Sequence, residues 1–172
     1  MSVPSDLTIR FATASDCPVI LELIRELADY EKLMHEVVAD VAGIRATLFG
    51  VRPAAEVLLA EQAGATVGFA LFFQSYSTFI GKPGLYLEDL FVRPPARGLG
   101  VGGALMSACA RIAVQRHYGR FEWAVLDWNT PALEFYARLG AHKKSDWLIH
   151  RLTGAPLAAL AERWPQPVGR AY

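Results

Sequence analysis

Residues 85–103 read Leu-Tyr-Leu-Glu-Asp-Leu-Phe-Val-Arg-Pro-Pro-Ala-Arg-Gly-Leu-Gly-Val-Gly-Gly: an apolar run carrying two acids, a double proline, then a glycine loop. Each part permits few structures. The apolar run is short enough to be a strand, and Pro94-Pro95 ends it because neither proline can donate to a ladder. Glu88 and Asp89 are consecutive, so a regular strand turns one carboxylate to each face unless a bulge intervenes. A charge left buried and unpaired costs on the order of several kcal/mol. The acids therefore belong either to a solvated edge strand or to a site that uses them. Gly98, Gly100, Gly102 and Gly103 stand directly ahead of a helical run, where unpartnered N–H groups and the helix dipole favour an anion such as pyrophosphate. Arg93 and Arg97 can add positive charge there.

The elements on either side follow from periodicity. Residues 7–11 alternate as a first strand, and Thr13, Ser15 and Asp16 offer caps to a helix with Pro18 in its first turn. Ile20, Leu23, Ile24 and Leu27 recur at i, i+3, i+4 and i+7, so this face packs on a sheet while Tyr30 and Glu31 fall at the helix end. Residues 40–49 read as a second short helix capped by Asp40. Residues 56–62 and 66–73 are strand runs separated by three residues suited to an antiparallel hairpin, and the turn-rich residues 74–84 read as a link into the acidic strand. A helix from Val101 to about His117 places Cys109 on its apolar face, as a core thiol and not a reactive one. A strand over 121–126 follows, then a helix over 131–139 with Asn129 or Thr130 as cap and Gly140 as stop. Strand-like runs near 141–143 and 147–152 and a terminal helix over 154–164 complete the chain. The expected fold is α/β of the α+β type: a mixed, mostly antiparallel central sheet flanked by helices.

Composition narrows the partners. The 172 residues, 53% of them hydrophobic, suffice for one domain with a full core, so 1–172 is expected to be a single domain. Seventeen basic and 17 acidic residues cancel without a long like-charge block, which gives nucleic acid and anionic membrane no electrostatic support. No apolar run reaches spanning length and the N-terminus has no signal-peptide pattern, so a cytoplasmic location is expected. Cys17 and Cys109, with no CxxC and no histidine cluster at ligand spacing, point to neither a disulfide framework nor a metal site. Small molecules are the expected partners.

Three phosphate motifs compete for the glycine loop. No Lys-Ser or Lys-Thr follows the glycines, which removes the Walker loop. Gly98, Gly100 and Gly103 satisfy GxGxxG and Asp127 ends the next strand, so a nicotinamide-dinucleotide-binding oxidoreductase is an alternative. In that fold, however, the loop follows its strand at once, usually in the first βαβ unit; here residues 93–97 intervene and antiparallel strands come first. The third reading is a resemblance. Arg97 to Gly102 is similar to the Arg/Gln-x-x-Gly-x-Gly/Ala signature of the GNAT superfamily of acetyl-CoA-dependent N-acetyltransferases, and lies, as theirs does, between the fourth strand and third helix. Residues 23–32, 85–92 and 127–136 look like the diamine, or spermidine/spermine, branch.

The resemblance implies a GNAT fold with splayed fourth and fifth strands, acetyl-CoA as co-substrate, no metal and a homodimer. It implies acetyl transfer to a small cationic primary amine, a diamine, polyamine or thialysine-like acceptor, directly within a ternary complex. The backbone of Leu90, Phe91 and Val92 would meet the pantetheine arm, and Arg97, Gly98, Leu99, Gly100, Val101, Gly102 and Gly103 the pyrophosphate. Asn129, Pro131 and Ala132 would also contact the cofactor. Tyr136 resembles the general acid and Glu88 the residue that binds the amine or deprotonates it through water. Tyr30, Glu31 and Asp89 would stand at the substrate end, with Glu122, Trp123 and Ala124 along the same tunnel. The polyamine-specific branch carries an aspartate near the position of Ser77, where this chain reads Tyr76-Ser77-Thr78-Phe79; short diamines and thialysine-like amino acids are favoured over long polyamines. A non-catalytic acyl-CoA-binding module is the alternative outside catalysis.

The chemistry asks for the same groups. A lysine-like amine, with a pKa of about 10.4, arrives as ammonium and must lose a proton before it attacks a thioester. A carboxylate binds that ammonium and relays its proton. Strand N–H groups can stabilise the oxyanion, and a tyrosine, at a pKa of about 10, can protonate the leaving thiolate.

Overall fold

The computed structural model describes residues 4–163. Its backbone divides into two units, residues 1–124 and 125–172, and each is taken by itself.

The first unit is built on a five-stranded sheet in the order β1-β2-β3-β4-β5. Strand β1 (Thr8–Phe11) leads through a short 3-10 turn (Ala14–Asp16) into helix α1 (Cys17–Tyr30). The turn is locked locally. Thr13 donates to Asp16 through its backbone N–H at 2.7 Å and its hydroxyl at 2.9 Å, while Arg10 donates to both Asp16 and Glu61. The Arg10 guanidinium holds the Asp16 carboxyl well below the usual carboxylate range. Helix α1 buries Cys17, Ile20, Leu21, Leu23 and Ala28. It ends where Lys32 takes a left-handed φ of 62° and Leu33 N–H donates to Ala28 C=O at 2.7 Å, the arrangement that satisfies the last carbonyls of a helix. Asp40 caps α2 (Val41–Leu48), accepting from Gly43 N–H at 2.7 Å.

Strands β2 (Glu56–Gln62), β3 (Ala65–Ser77) and β4 (Lys82–Val92) pair antiparallel in sequence. One face of the sheet, through Val57, Leu59, Phe69 and Phe91, packs against α1 and Ile44 of α2. Alternation turns Leu58, Ala70, Phe72, Leu85 and Leu87 to the other face, where α3 (Val101–Gln115) buries Leu105, Met106, Cys109 and Ile112. Each fully buried side chain of this size contributes about 1.5–3 kcal/mol, so both layers are needed. The chain crosses from β4 through α3 to β5 (Phe121–Trp123), which pairs parallel with β4.

The structure differs from the sequence-based expectation at the link. Residues 74–84 are no loose connection: β3 runs to Ser77 and β4 starts at Lys82, with the register Ser77↔Lys82 to Gln74↔Leu85 and the turn closed by Gly81 N–H donating to Ser77 C=O at 2.8 Å. Polar residues dominate there because Gln74 and Tyr76 alternate outward from the hairpin. Strand β5 is shorter than expected, ending at Trp123 and not at Leu126.

In the second unit, α4 (Thr130–Arg138) begins as expected. Asn129 is its cap, the side-chain oxygen accepting from Ala132 N–H at 3.3 Å, with Pro131 in the first turn. Gly140 ends it at φ 81°. The strand-like runs at 141–143 and 147–152 do not form strands. A strand needs a neighbour for its N–H and C=O groups, and among the described residues these runs have no ladder partner; Trp147, Leu148 and Ile149 stay 69–80% exposed. The terminal helix forms as α5 (Gly154–Ala161). Trp164, placed at its end from sequence, lies outside the described residues.

Candidate active site

The two consecutive acids of β4 are resolved by a bulge. Opposite β3, Leu71 pairs with Asp89 and Phe72 with Leu87, so Glu88 is the extra residue with no partner. A bulge bends the strand and re-aims side chains. Below it Tyr86 pairs with Phe73, and above it Asp89 and Phe91 pair with Leu71 and Phe69, so all three of these β4 residues share the face that carries α1. Regular alternation would instead have put Asp89 on the face opposite Tyr86. Asp89 is half-buried and Glu88 exposed.

Around the bulge the acids sense one another. Asp89 is pushed up to about 6 by burial first, then by the charges of Glu88 and Glu31. Glu31, at the end of α1, is itself raised by burial. Tyr86 is raised by burial and by Glu88 and Glu122. Glu122 sits on β5 opposite Tyr86 and forms an ion pair with Arg120 at 2.6 Å. Among the described residues, no basic side chain forms an ion pair with Glu31, Glu88 or Asp89. The result is a group of acids held partly out of water, with no ion-pair partner among the described residues, an arrangement that suits a cationic ligand.

The same strand offers a backbone edge. Parallel pairing with β5 covers only Leu85 to Leu87, while β4 continues to Val92. Arg93 N–H donates to Val67 C=O of β3 at 2.9 Å, and a methyl group built on Gly68 would lie 2.6 Å from the Phe91 carbonyl. Residues 91 and 93 thus turn their polar groups to β3. By alternation Leu90 and Val92 turn theirs the other way, to the edge that β5 has left. The splay is therefore a property of the ladder, and of the three residues expected at the pantetheine arm Leu90 and Val92 are the two with outward backbone groups.

Beyond Val92 a short 3-10 turn (Pro94–Ala96) leads into the glycine loop. Gly98 and Gly100 adopt φ values of 76° and 84°, in the left-handed region that side chains other than glycine rarely enter. No side chain caps α3, whose first turn carries Val101, Gly102 and Gly103, and a methyl group built on Gly98 or Gly103 meets nothing within 4 Å. Uncapped N–H groups over an open, side-chain-free surface fit a pyrophosphate. Leu99 points outward, 44% exposed, and Val101 is buried.

The two arginines beside the loop make different contacts. Arg93 is taken up by α1: it donates to Glu26 at 2.7 Å, to Thr66 C=O at 2.9 Å and pairs with Glu22 at 2.8 Å. Arg97 donates from Nε to the Val92 carbonyl at 2.8 Å, with its guanidinium 4.6 Å from the Tyr30 ring and 5.4 Å from the Phe91 ring. No sequence signal marks these contacts, which depend on α1 crossing the end of β4.

In the second unit, Asn129 is buried and commits its side-chain oxygen to the α4 cap, while Tyr136 is half-buried with its ring 5.3 Å from that of Phe135. Trp123 is half-buried against Phe121, and Ala124, beyond the end of β5, is exposed. Cys109 is fully buried and its thiol is pushed up to about 12 by that burial. A cavity of about 520 Å³ along the outer side of α1, lined by Leu21, Arg25 and Met34 among others, includes none of the acids around the bulge. Among the described residues no group of three metal-binding side chains comes together.

Residues 20–141 match the model of the acetyltransferase (GNAT) family. The chain belongs to the GNAT family. Among its GNAT relatives, a Mus musculus thialysine N-epsilon-acetyltransferase is 39% identical, over 90% of this chain and 97% of its own. An Arabidopsis thaliana L-ornithine N5-acetyltransferase is 34% identical, over 88% of this chain and 86% of its own. Among solved structures, an integron cassette protein from V. cholerae superposes with a TM-score of 0.78 at 24% identity, covering 92% of this chain and 99% of that one; this likeness concerns the fold. GNAT proteins are acyltransferases that use acetyl-CoA, and the named relatives acetylate amines. The dinucleotide-fold alternative drops out: β1 to β4 are antiparallel, and only the β4–α3–β5 crossover is parallel.

Proposed function

We propose that this GNAT enzyme acetylates a primary amino group of a small cationic acceptor, an ornithine-like or thialysine-like amino acid or a short diamine. One observation carries the reading: the β4 bulge gathers Glu88, Asp89 and Glu31 into a negative patch beside the edge left by β5. Long polyamines fit less well. Ser77 is buried and its hydroxyl accepts from Ile80 N–H at 3.4 Å, so the hairpin holds no carboxylate there for a distant ammonium.

Glu31 and Asp89 hold the incoming ammonium, and Glu88, the most exposed of the three, takes its proton through water. Acetyl-CoA supplies the acetyl group as an activated thioester. The uncapped N–H groups at the start of α3 receive the pyrophosphate, and the outward N–H groups of Leu90 and Val92 align the pantetheine arm and stabilise negative charge on the thioester oxygen. Tyr136, by resemblance of residues 127–136, protonates the departing thiolate. Neutral Cys109, inside the core, takes no part.

Release of free CoA thiol, followed across a panel of ornithine, thialysine, a short diamine, spermidine and an uncharged aromatic amine, tests the proposal. Turnover concentrated on the small cationic acceptors is the expected result. Binding of acetyl-CoA with no thiol release from any amine would replace the enzyme by a binding module.

A further inference from the structure

We propose that Arg120 and Glu122 receive the α-carboxylate and α-ammonium of an amino-acid acceptor, so that the enzyme selects ornithine-like or thialysine-like amino acids over diamines of the same length. The inference rests on the acetyltransferase reading above and narrows its acceptor. It is carried by three successive rows of side chains on the α1 face of the sheet. Leu71 and Asp89 form the first row, Phe73, Tyr86 and Glu122 the second, and Ser75, Gly84 and Arg120 the third. Rows on one face are two residues apart, or about 6.6 Å. Arg120 has room to lie over β4 because residue 84 is glycine: a methyl group built there would meet Arg120 Cγ at 2.9 Å and Ser75 Oγ at 2.8 Å.

Each row has its own chemistry. The first, with Glu88 beside it at the bulge, faces the ammonium that reacts. The second has a floor of two half-buried rings, Phe73 and Tyr86, with centroids 5.2 Å apart, which suits methylene groups. Burial, then the charges of Glu88 and Glu122, raise the Tyr86 hydroxyl, so this floor lies between the two acids. Beyond it Arg120 Nε stands 2.6 Å from Glu122 Oε2, with the two side chains 34% and 39% exposed. That buried Nε has no hydrogen bond along its N–H, and neither has the buried Ser75 Oγ across Gly84. Glu122 is the one ion-pair partner of Arg120 among the described residues, and an arginine has more N–H donors than one carboxylate can accept. A base and an acid side by side, with donors and acceptors to spare, match the opposite charges that an amino acid carries on one carbon. The stem of ornithine spans about 5–6 Å at bond lengths near 1.5 Å. With its side-chain ammonium at the first row, the stem crosses the rings and the zwitterion reaches the ion pair. A diamine brings a second ammonium there, which leaves Arg120 beside a like charge.

The test compares ornithine, ornithine amide and putrescine, which share the reacting amine and differ in the carboxylate. Release of CoA thiol is followed at saturating acetyl-CoA. Wild-type kcat/KM for ornithine should exceed that for either of the others about ten- to hundredfold, mostly through KM. In Arg120→Met the preference should collapse: ornithine falls by that factor while putrescine stays within about threefold, and putrescine turnover is also the check that the variant folds. Arg120→Lys, which keeps the charge without the planar fork, should retain part of the preference. Glu122→Gln should instead lower ornithine and putrescine alike, since each brings an ammonium to it. Equal wild-type kcat/KM for ornithine and its amide would overturn the proposal without recourse to any variant, and so would an Arg120→Met protein that keeps the ornithine preference. Putrescine acetylated as readily as ornithine by the wild type removes this inference and leaves the acetyltransferase reading standing. Bound acetyl-CoA with no thiol release from any of the three removes that reading itself.

Discussion

Asp89 carries most of the tension at the residue scale. Its folded pKa is raised from 3.8 to about 6, so the folded state binds a proton that the unfolded chain has released across that window. Stability therefore falls as pH rises from about 4 to about 6 and stays lowered above it. Asp89→Asn removes this penalty. It should stabilise the protein at pH 8 by on the order of 1–2 kcal/mol, discounted for partial exposure, and by little near pH 4, as read from urea unfolding at the two values. A gain equal at both values would show that the carboxylate's charge is not the cause. The same group sets a limb in the activity profile: kcat/KM for the amine should fall as pH drops through about 6, and Asp89→Asn should lose that limb along with amine affinity. Glu88→Gln, one residue away, should lower amine kcat/KM at least tenfold while leaving acetyl-CoA Kd unchanged. The adjacent acids were legible in the sequence as an anomaly that a bulge could resolve. The bulge itself was not, because it depends on how β4 meets Leu71 and Phe72 across the ladder.

At the scale of elements, β4 does the organising and two glycines let it. Gly100 turns the chain at φ 84° into α3. Gly100→Ala should strain the turn by about 1–2 kcal/mol and displace the uncapped N–H groups, so acetyl-CoA Kd should rise severalfold; unchanged affinity would take the α3 start out of cofactor binding. Gly68 lets β3 approach β4, since an added methyl would lie 2.6 Å from the Phe91 carbonyl and 3.3 Å from Val92 Cα. Gly68→Ala should cost on the order of 1–3 kcal/mol, measurable as a lowered thermal midpoint. Helices α1, α2 and α3 could be read from periodicity and caps because those signals are local. The β3–β4 hairpin reads as a link in the sequence because its outward residues are polar, and residues 141–143 and 147–152 read as strand-like because their composition suits a strand without supplying a neighbour. Strand pairing is decided by partners distant in sequence.

For the whole molecule, the layers divide the chemistry. The α1 face of the sheet holds the acids, the edge of β4 past β5 holds outward N–H and C=O groups, and the start of α3 holds unpaired N–H groups. All three belong to the first unit, and α4, with Asn129 and Tyr136, belongs to the second. Tyr136→Phe should lower turnover sharply with acetyl-CoA affinity nearly intact; unchanged turnover, where chemistry limits the rate, would remove Tyr136 as the acid. The nucleophile in this arrangement is the amine itself. Cys109 lies inside the α3 layer, with a thiol pushed up to about 12, and cannot relay an acetyl group at neutral pH. Initial rates over a grid of acetyl-CoA and amine concentrations test the central claim that acetyl passes directly between two substrates held together along β4. Direct transfer gives intersecting double-reciprocal lines and no acetylated protein. Parallel lines, with an acetyl group trapped on Cys109, would contradict it.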